Sequence, residues 1–159
     1  MIELNVIGLM IDPSSNAPVV VLRESAGERV MPIWIGQMEA LSIQSALENE
    51  TPPRPMTHDL MTNMIRRLGA TMTSVEISDL KDSTFFALLR LDRGGEQIAM
   101  DSRPSDAIAL AVRFGARIYT YEEVLSQVKL PESAGGGDKD KWSEVLGSLG
   151  PESFGKYKM

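Results

Sequence analysis

The chain of 159 residues contains no cysteine and a single histidine. The lack of cysteine excludes disulfides, thiolate nucleophiles and zinc sites built on cysteine. No apolar run approaches the roughly 20 residues that a membrane-spanning helix needs. The N-terminus also lacks the basic start and apolar stretch of a signal peptide. These absences predict a cytoplasmic protein without a membrane segment.

Basic side chains are scarce as well, since 16 lysines and arginines stand against 22 acids and give a formal net charge of −6. An acidic balance argues against a general polyanion-binding surface. Aromatic residues make up only 6% of the chain, and no stretch combines them with basic residues as nucleic-acid stacking surfaces do. Lys81 is the only lysine in residues 1–128. The arginines there suit bidentate binding of carboxylate or phosphate, although arginine-rich surfaces are also common without any ligand.

The order of predicted elements favours an α+β fold. Strands are predicted over 2–10, 18–23, 29–35, 71–77, 84–91, 97–100 and 117–120. Helices are predicted from Gly36 to about Asn49, from Thr57 as N-cap to Leu68, from Pro104 to about Phe114, and over 121–128. Because strands and helices come in runs instead of alternating strictly, we expect a mixed, largely antiparallel sheet with about four helices packed on it.

Helical periodicity predicts which faces are buried. In the first helix the apolar stripe comprises Met38, Ala40, Leu41, Ile43, Ser45 and Leu47. In the second helix it comprises Leu60, Met61, Met64, Ile65 and Leu68. Both stripes predict helices packed on a core, with the many methionines as core filling.

The composition changes near residue 129. Residues 1–128 are expected to form one domain, and residues 129–159 a flexible linker with a short C-terminal amphipathic segment. The linker is the glycine-rich Pro131–Gly137, and the segment carries Trp142, Val145, Leu146 and Leu149. Exposed apolar strands near Pro32, together with the Trp142 segment, favour a homodimer.

The segment Asp101–Leu110 (DSRPSDAIAL) is a polar junction between a strand and a helix. Pro104 suits the first helical position, where its missing N–H costs nothing. Arg103, which precedes the proline, is then the N-cap, and Asp106 at the third position could reach back to the Arg103 backbone N–H. Helix capping explains the serine and aspartate, but it requires neither Arg103 nor Asp101. Two carboxylates and a guanidinium here could hold a divalent cation and a phosphate together.

A second polar group precedes the second helix. Arg54, His58 and Asp59 place a guanidinium, an imidazole and a carboxylate within six residues. His58 could act as a general acid or base near neutral pH. It could equally be an ordinary polar residue of a first helical turn. Glu39 is a third candidate carboxylate, and a lone glutamate on a helix surface is the simpler interpretation.

Three blocks of the sequence resemble the bifunctional nuclease domain family. They are Pro32–Gly36 followed by Glu39, then Arg54–Leu60, and then Asp101–Arg113. The blocks occur in the family's order, and the resemblance covers roughly residues 1–128. It implies an α+β fold and a nuclease that acts on RNA and DNA with little base specificity. The polar positions that match the family are Glu39, Arg54, His58, Asp59, Asp101, Arg103, Ser105 and Asp106.

Our hypothesis for such a nuclease assigns three roles. Asp101 and Asp106 would bind Mg²⁺ or Mn²⁺. The phosphate of an RNA or DNA substrate would lie on Arg54, Arg103 and Ser105. Proton transfer would involve His58, Asp59 and Glu39, with Asp59 orienting the imidazole. The alternative is a non-catalytic interaction or regulatory domain whose polar helix starts are structural or bind a small anion or protein partner. An open cleft where the two motifs meet would favour the nuclease, and a buried, mutually paired junction would favour the alternative.

Overall fold

A computed structural model describes residues 1–129 of the chain. Its strands are β1 Ile2–Ile11, β2 Pro18–Glu24, β3 Val30–Trp34, β4 Thr71–Lys81, β5 Thr84–Arg93, β6 Glu96–Ser102 and β7 Arg117–Thr120. Its helices are α1 Gln37–Leu47, α2 Thr57–Arg67, α3 Pro104–Phe114 and α4 Glu122–Leu125. The predicted order of elements is confirmed, and the fold class is α+β. The largest difference lies between β4 and β5, where Asp82 and Ser83 adopt positive φ angles of 48° and 60°. Such a tight two-residue turn lets β4 extend to Lys81, through most of the connection predicted over residues 78–83, whereas β5 begins at Thr84 as predicted.

The seven strands form one mixed sheet in the order β3-β2-β1-β7-β4-β5-β6. Only the β4–β7 pair is parallel, and the other five pairings are antiparallel. Helix α3 connects the edge strand β6 to the central strand β7. It therefore crosses the sheet and contacts β4, β5 and β7 on the way.

Helix α3 is the centre of the packing. Its residues from Ala107 through Ala111 are completely buried, and Gly115 ends it in a left-handed conformation with φ of 65°. Helices α1 and α2 both pack on α3. Within residues 1–129, none of the helices combines the length and apolarity that crossing a bilayer requires.

The predicted buried face of α2 is wrong. Leu60 is 52% exposed, Met64 53% and Leu68 71%. The side chains that α2 buries are His58 and Thr62, and Ile65 is half-buried beside them. The polar face turns inward because the His58 ring finds hydrogen-bond partners on both α1 and α3, and a buried polar ring needs such partners.

The predicted buried face of α1 is also partly wrong. Ala40 and Ile43 are buried as expected, whereas Met38 and Leu41 are exposed. Together the two helices leave an exposed apolar surface made of Met38, Leu41, Met56, Leu60, Met61, Met64 and Leu68. The prediction that the methionines fill the core is therefore wrong for Met38, Met56, Met61 and Met64. An exposed apolar patch of this kind is typical of an interaction surface.

The predicted homodimer lacks one of its reasons, because Pro32 is fully buried. The homodimer therefore stays a prediction. The Trp142 segment and nearly all of the predicted linker lie outside the described residues, so the division of the chain near residue 128 also stays a prediction.

We expect the double variant Leu60→Ser/Met64→Ser to lower the free energy of unfolding by no more than about 1 kcal/mol, since exposed substitutions cost little. Ile108→Ala, in the buried α3, should cost about 2–5 kcal/mol. Urea unfolding of the three proteins measures both values. A cost for the α2 variant as large as that for Ile108→Ala would mean that the exposed apolar surface is covered in solution.

Candidate active site

A cleft of about 510 Å³ opens between α1, the start of α2 and the start of α3. Its polar lining consists of Glu39, Ser42, Ser45, Glu50, Thr57, His58, Asp59, Arg103, Asp106 and Arg113. Met38, Leu41, Met56 and Met61 of the exposed apolar surface form its apolar rim. The two polar helix starts predicted from the sequence therefore meet in one open cleft.

The start of α3 places Arg103 and Asp106 in this cleft. Arg103 is the N-cap, with φ −68° and ψ 142°, and Pro104 is the first helical residue, as predicted. The predicted bond from the Arg103 backbone to Asp106 is not made, because the Asp106 carboxylate accepts from the guanidinium instead. Arg103 Nε lies 2.7 Å from Asp106 Oδ2, and Nη2 lies 3.0 Å from Oδ1. The bidentate pair joins two ionised groups through two hydrogen bonds, whereas the predicted cap bond would be a single one.

Arg103 also reaches the first helix. Its Nη2 lies 3.0 Å from Glu39 Oε1. The guanidinium therefore lies between two carboxylates, and its pKa is raised by Asp106 first and by Glu39 second. About 66% of the Arg103 side chain remains exposed at the mouth of the cleft. Arg103 is thus a permanent cation that still faces solvent.

His58 is buried at the inner end of the cleft and is held at both ring nitrogens. Nε2 lies 3.0 Å from Asp106 Oδ1, and Nδ1 lies 2.8 Å from Ser42 Oγ. An ionised carboxylate can only accept a hydrogen bond, so Nε2 must carry the hydrogen. In the neutral ring Nδ1 is then an acceptor, and the Ser42 hydroxyl donates to it. This tautomer follows from the partners, and it makes Nδ1 the basic atom on the Ser42 side.

The Asp106 carboxylate is ionised at neutral pH. Burial raises its pKa, but the hydrogen bonds from Arg103 and His58 outweigh the burial, so that the pKa lies below its ordinary value. The same carboxylate therefore holds the charged guanidinium in place and fixes the imidazole.

Asp59 does not orient His58, in contrast to our hypothesis. Its Oδ1 lies 2.7 Å from Arg113 Nε, and its Oδ2 accepts from the Met56 backbone N–H at 2.9 Å. Burial raises the pKa of Asp59, but the Arg113 bond and the Met56 N–H together hold it below its ordinary value. Arg113 also donates to the carbonyl oxygens of Ser42 and Ala109. Asp59 and Arg113 thus tie α1, α2 and α3 together beside the imidazole.

The structure does not bring the predicted metal ligands together. Asp101 is exposed on β6, opposite Leu88 of β5, and does not line the cleft. Both Asp106 oxygens already accept hydrogens from Arg103 or His58. Among residues 1–129, no three His, Cys, Asp or Glu side chains are placed to share a metal ion. This donor set does not fit Mg²⁺ or Mn²⁺ at Asp101 and Asp106, and the metal stays a prediction.

The two other predicted phosphate ligands lie apart from the cleft. Arg54 is exposed in the connector before α2 and is absent from the cleft lining. Ser105 is buried and lines an adjoining groove together with Arg103. Of the predicted phosphate ligands, Arg103 is therefore the one that faces the imidazole site.

Sequence reasoning missed Ser42 and Arg113. Ser42 follows Glu39 by three positions and therefore shares a helix face with it. Arg113 follows Asp106 by seven positions, two turns along the same face of α3. This periodicity could have singled out both residues once Glu39 and Asp106 had been chosen as candidates.

We expect Asp106→Asn to lower the free energy of unfolding by about 1 kcal/mol at neutral pH, a value discounted for the exposure of Arg103. Because folding lowers the pKa of Asp106, its stabilisation is present above the unfolded value of roughly 4 and is lost as the pH falls through the folded value. The difference between wild type and variant should therefore vanish in acid. Denaturant unfolding between neutral pH and acid measures it. Asp101→Asn, at an exposed carboxylate five residues earlier, is the control and should change stability little at any pH; an equal effect of both variants would contradict the shared-carboxylate geometry.

Comparison with known proteins agrees with the resemblance seen in the sequence. The family model described as the bifunctional nuclease domain matches residues 20–133. An uncharacterized protein of Mycobacterium tuberculosis is 40% identical over 162 residues, which cover 96% of this chain and 97% of the relative. Bifunctional nuclease 2 of Oryza sativa subsp. japonica is 34% identical over 67% of this chain, and bifunctional nuclease 1 of Arabidopsis thaliana is 30% identical over 60%. The match spans only 34% and 31% of those two plant proteins. The chain belongs to the bifunctional nuclease domain family.

Proposed function

We propose that this protein is a nuclease that hydrolyses phosphodiester bonds of RNA and DNA with little base specificity, and that the cleft is its active site. The observation that carries the proposal is the buried His58, fixed by Asp106 within an open cleft whose mouth presents the cation Arg103. The names of the plant relatives support it, although the matched region is about a third of each of those proteins.

Phosphodiester hydrolysis requires neutralisation of the phosphate, removal of a proton from the attacking oxygen and protonation of the leaving oxygen. Arg103 serves the first need. Its Nε and Nη2 hold Asp106 and Glu39, whereas no hydrogen bond from Nη1 to a described residue is found. The Nη1 hydrogens at the cleft mouth are therefore the donors for a phosphate oxygen.

His58 serves the proton transfers. With its Nε2 hydrogen on Asp106, the ring accepts a proton at Nδ1 and becomes an imidazolium that the Asp106 carboxylate stabilises. The Ser42 hydroxyl is hydrogen-bonded to Nδ1, and Ser42 and His58 both line the cleft. The proton therefore reaches the ring through Ser42 or from an attacking oxygen that takes its place. Glu39, the third candidate, holds the guanidinium that binds phosphate.

The alternative function is a non-catalytic interaction domain, and two observations favour it. Arg103 and Asp106 pair with one another at the junction, as a structural role predicts. Seven large apolar side chains of α1, α2 and the two caps of α2 are exposed, and four of them line the cleft. Such a surface is typical of protein contacts. The alternative predicts that the purified protein cleaves no nucleic acid. A cytoplasmic location and a homodimer are compatible with either function and stay predictions.

We expect His58→Ala to lower the rate of cleavage of labelled single-stranded RNA and DNA by at least about 100-fold, since a general base contributes that much. Asp106→Asn should lower the cleavage rate by a comparable factor, because a neutral amide in place of the carboxylate no longer stabilises the imidazolium. Single-turnover cleavage by highly purified protein, with and without a chelator, measures both effects and also tests the predicted metal dependence.

The matched control is Glu123→Gln, which changes an exposed carboxylate of α4 away from the cleft. This variant is purified in parallel and should cleave as the wild type does. Equal cleavage by His58→Ala, Glu123→Gln and wild type would identify a contaminating nuclease and overturn the proposal.

We expect Ser42→Ala to keep cleavage within about tenfold of wild type, because Asp106 still fixes the ring and a water molecule can occupy the place of Oγ. The pH–rate profile of the variant should keep its shape. A loss as large as that of His58→Ala, in a variant that unfolds like wild type, would instead make Ser42 the group that attacks phosphorus.

A further inference from the structure

Trp34, at the end of β3, is an aromatic side chain held in place at the surface. It is 41% exposed, and its Nε1 donates to Asp12 Oδ2 at 3.0 Å. Asp12 is buried, and its carboxylate also accepts from the Ser15 hydroxyl at 2.6 Å and from the Ser14 backbone N–H at 3.0 Å. Burial raises the pKa of Asp12, but the hydrogen bonds from these donors outweigh the burial. The pKa therefore lies below its ordinary value, and the carboxylate is ionised. An ionised, fixed acceptor sets the orientation of the indole ring.

Two adjoining grooves, each of about 410 Å³, meet at Trp34. The first is lined by Trp34, Gly36, Phe85, Arg103 and Ser105 among others. The second shares Trp34 and Phe85 and continues to Val128 and Lys129. Arg103 lines both the first groove and the candidate active site. A continuous path therefore leads from the imidazole past Arg103 to Trp34 and on to Lys129.

We propose that this path binds a single strand of nucleic acid, with a base stacked on Trp34 and the neighbouring phosphate on Arg103. The inference rests on the proposed function and names the form of its substrate. Arg103 and Lys129 lie at the two ends of the path, Asp82 lines the second groove together with Lys129, and the aromatic rings of Trp34 and Phe85 lie between the ends. This is the arrangement by which proteins follow a single strand, with charge for the backbone and aromatic faces for the bases.

Stacking also accounts for the expected lack of base preference. Every base has a flat face, so an aromatic ring holds all of them with about 1–3 kcal/mol per base. In a duplex the bases are already stacked on each other and cannot stack on a ring that lines a groove. The path therefore favours single strands over duplexes, and it adds the aromatic and basic surface that the linear sequence does not show.

The test measures binding of labelled oligothymidylate and oligouridylate by full-length protein that carries His58→Ala, so that no strand is cut. We expect Trp34→Ala to weaken binding by about 5- to 100-fold, the equivalent of one lost stacked base. Trp34→Phe should keep most of the affinity because it retains a ring. Phe86→Ala is the matched control, since Phe86 is 40% exposed and lines neither groove; it should bind within twofold of its parent.

A fluorescence measurement separates stacking from a structural role of the indole. In a Trp142→Phe background the remaining emission comes from Trp34, and a stacked base should quench it. A duplex of the same sequence should quench it less and bind more weakly. Unfolding curves check that the Trp34 variants fold.

The outcomes distinguish this inference from the proposed function. If protein with His58 intact cleaves single strands, while Trp34→Ala leaves the affinity unchanged and single strands do not quench the Trp34 emission, the single-strand path is wrong and the nuclease assignment stands. If the protein neither binds nor cleaves nucleic acid, the proposed function fails and the inference fails with it. Tight binding of another protein at Trp34, without any affinity for single strands, would also overturn the inference.

Discussion

One carboxylate, that of Asp106, connects the two halves of the candidate site. It accepts two hydrogen bonds from Arg103 and one from His58, and it thereby joins the start of α3 to the start of α2. Through Arg103 the same network reaches Glu39, and through His58 it reaches Ser42, both of them on α1. Without this carboxylate the guanidinium would lose its fixed position and the buried imidazole would lose the partner that sets its tautomer.

The local signals in the sequence predicted most of the fold because they act over a few residues. Pro104 after Arg103, the αL residue Gly115 and the alternation of the strands each dictate backbone geometry where they stand. The face that α2 buries could not be predicted in this way. Periodicity finds an apolar stripe, but it does not show that a polar ring on the opposite side has partners 16 and 48 residues away. Tertiary hydrogen bonding decided the orientation of this helix against its hydrophobic pattern.

The same limit explains which site residues could be predicted. His58, Arg103 and Asp106 stand in recognisable motifs, and the cleft brings them together. The carboxylate partner of His58 was predicted incorrectly. Asp59 is next to His58 in sequence, yet it pairs with Arg113, and His58 pairs with Asp106. Asp101 precedes α3 on an exposed strand and stays outside the cleft, as does Arg54. Of the predicted phosphate ligands, Arg103 is the one that lines the cleft. Arg103 lines both the cleft that contains the imidazole and the groove that contains Trp34. In the proposed function, this one side chain would therefore connect the catalytic site with the site that binds the single strand.

NMR of the imidazole nitrogens tests the central claim most directly, because His58 is the only histidine in the chain and its signals need no assignment by mutation. We predict that neutral His58 carries its hydrogen on Nε2, and that this hydrogen is lost from the spectrum in Asp106→Asn but not in Asp101→Asn. A hydrogen on Nδ1 in the neutral ring, or a rapid mixture of both tautomers in the wild type, would contradict the Asp106–His58–Ser42 arrangement on which the proposed nuclease chemistry is built.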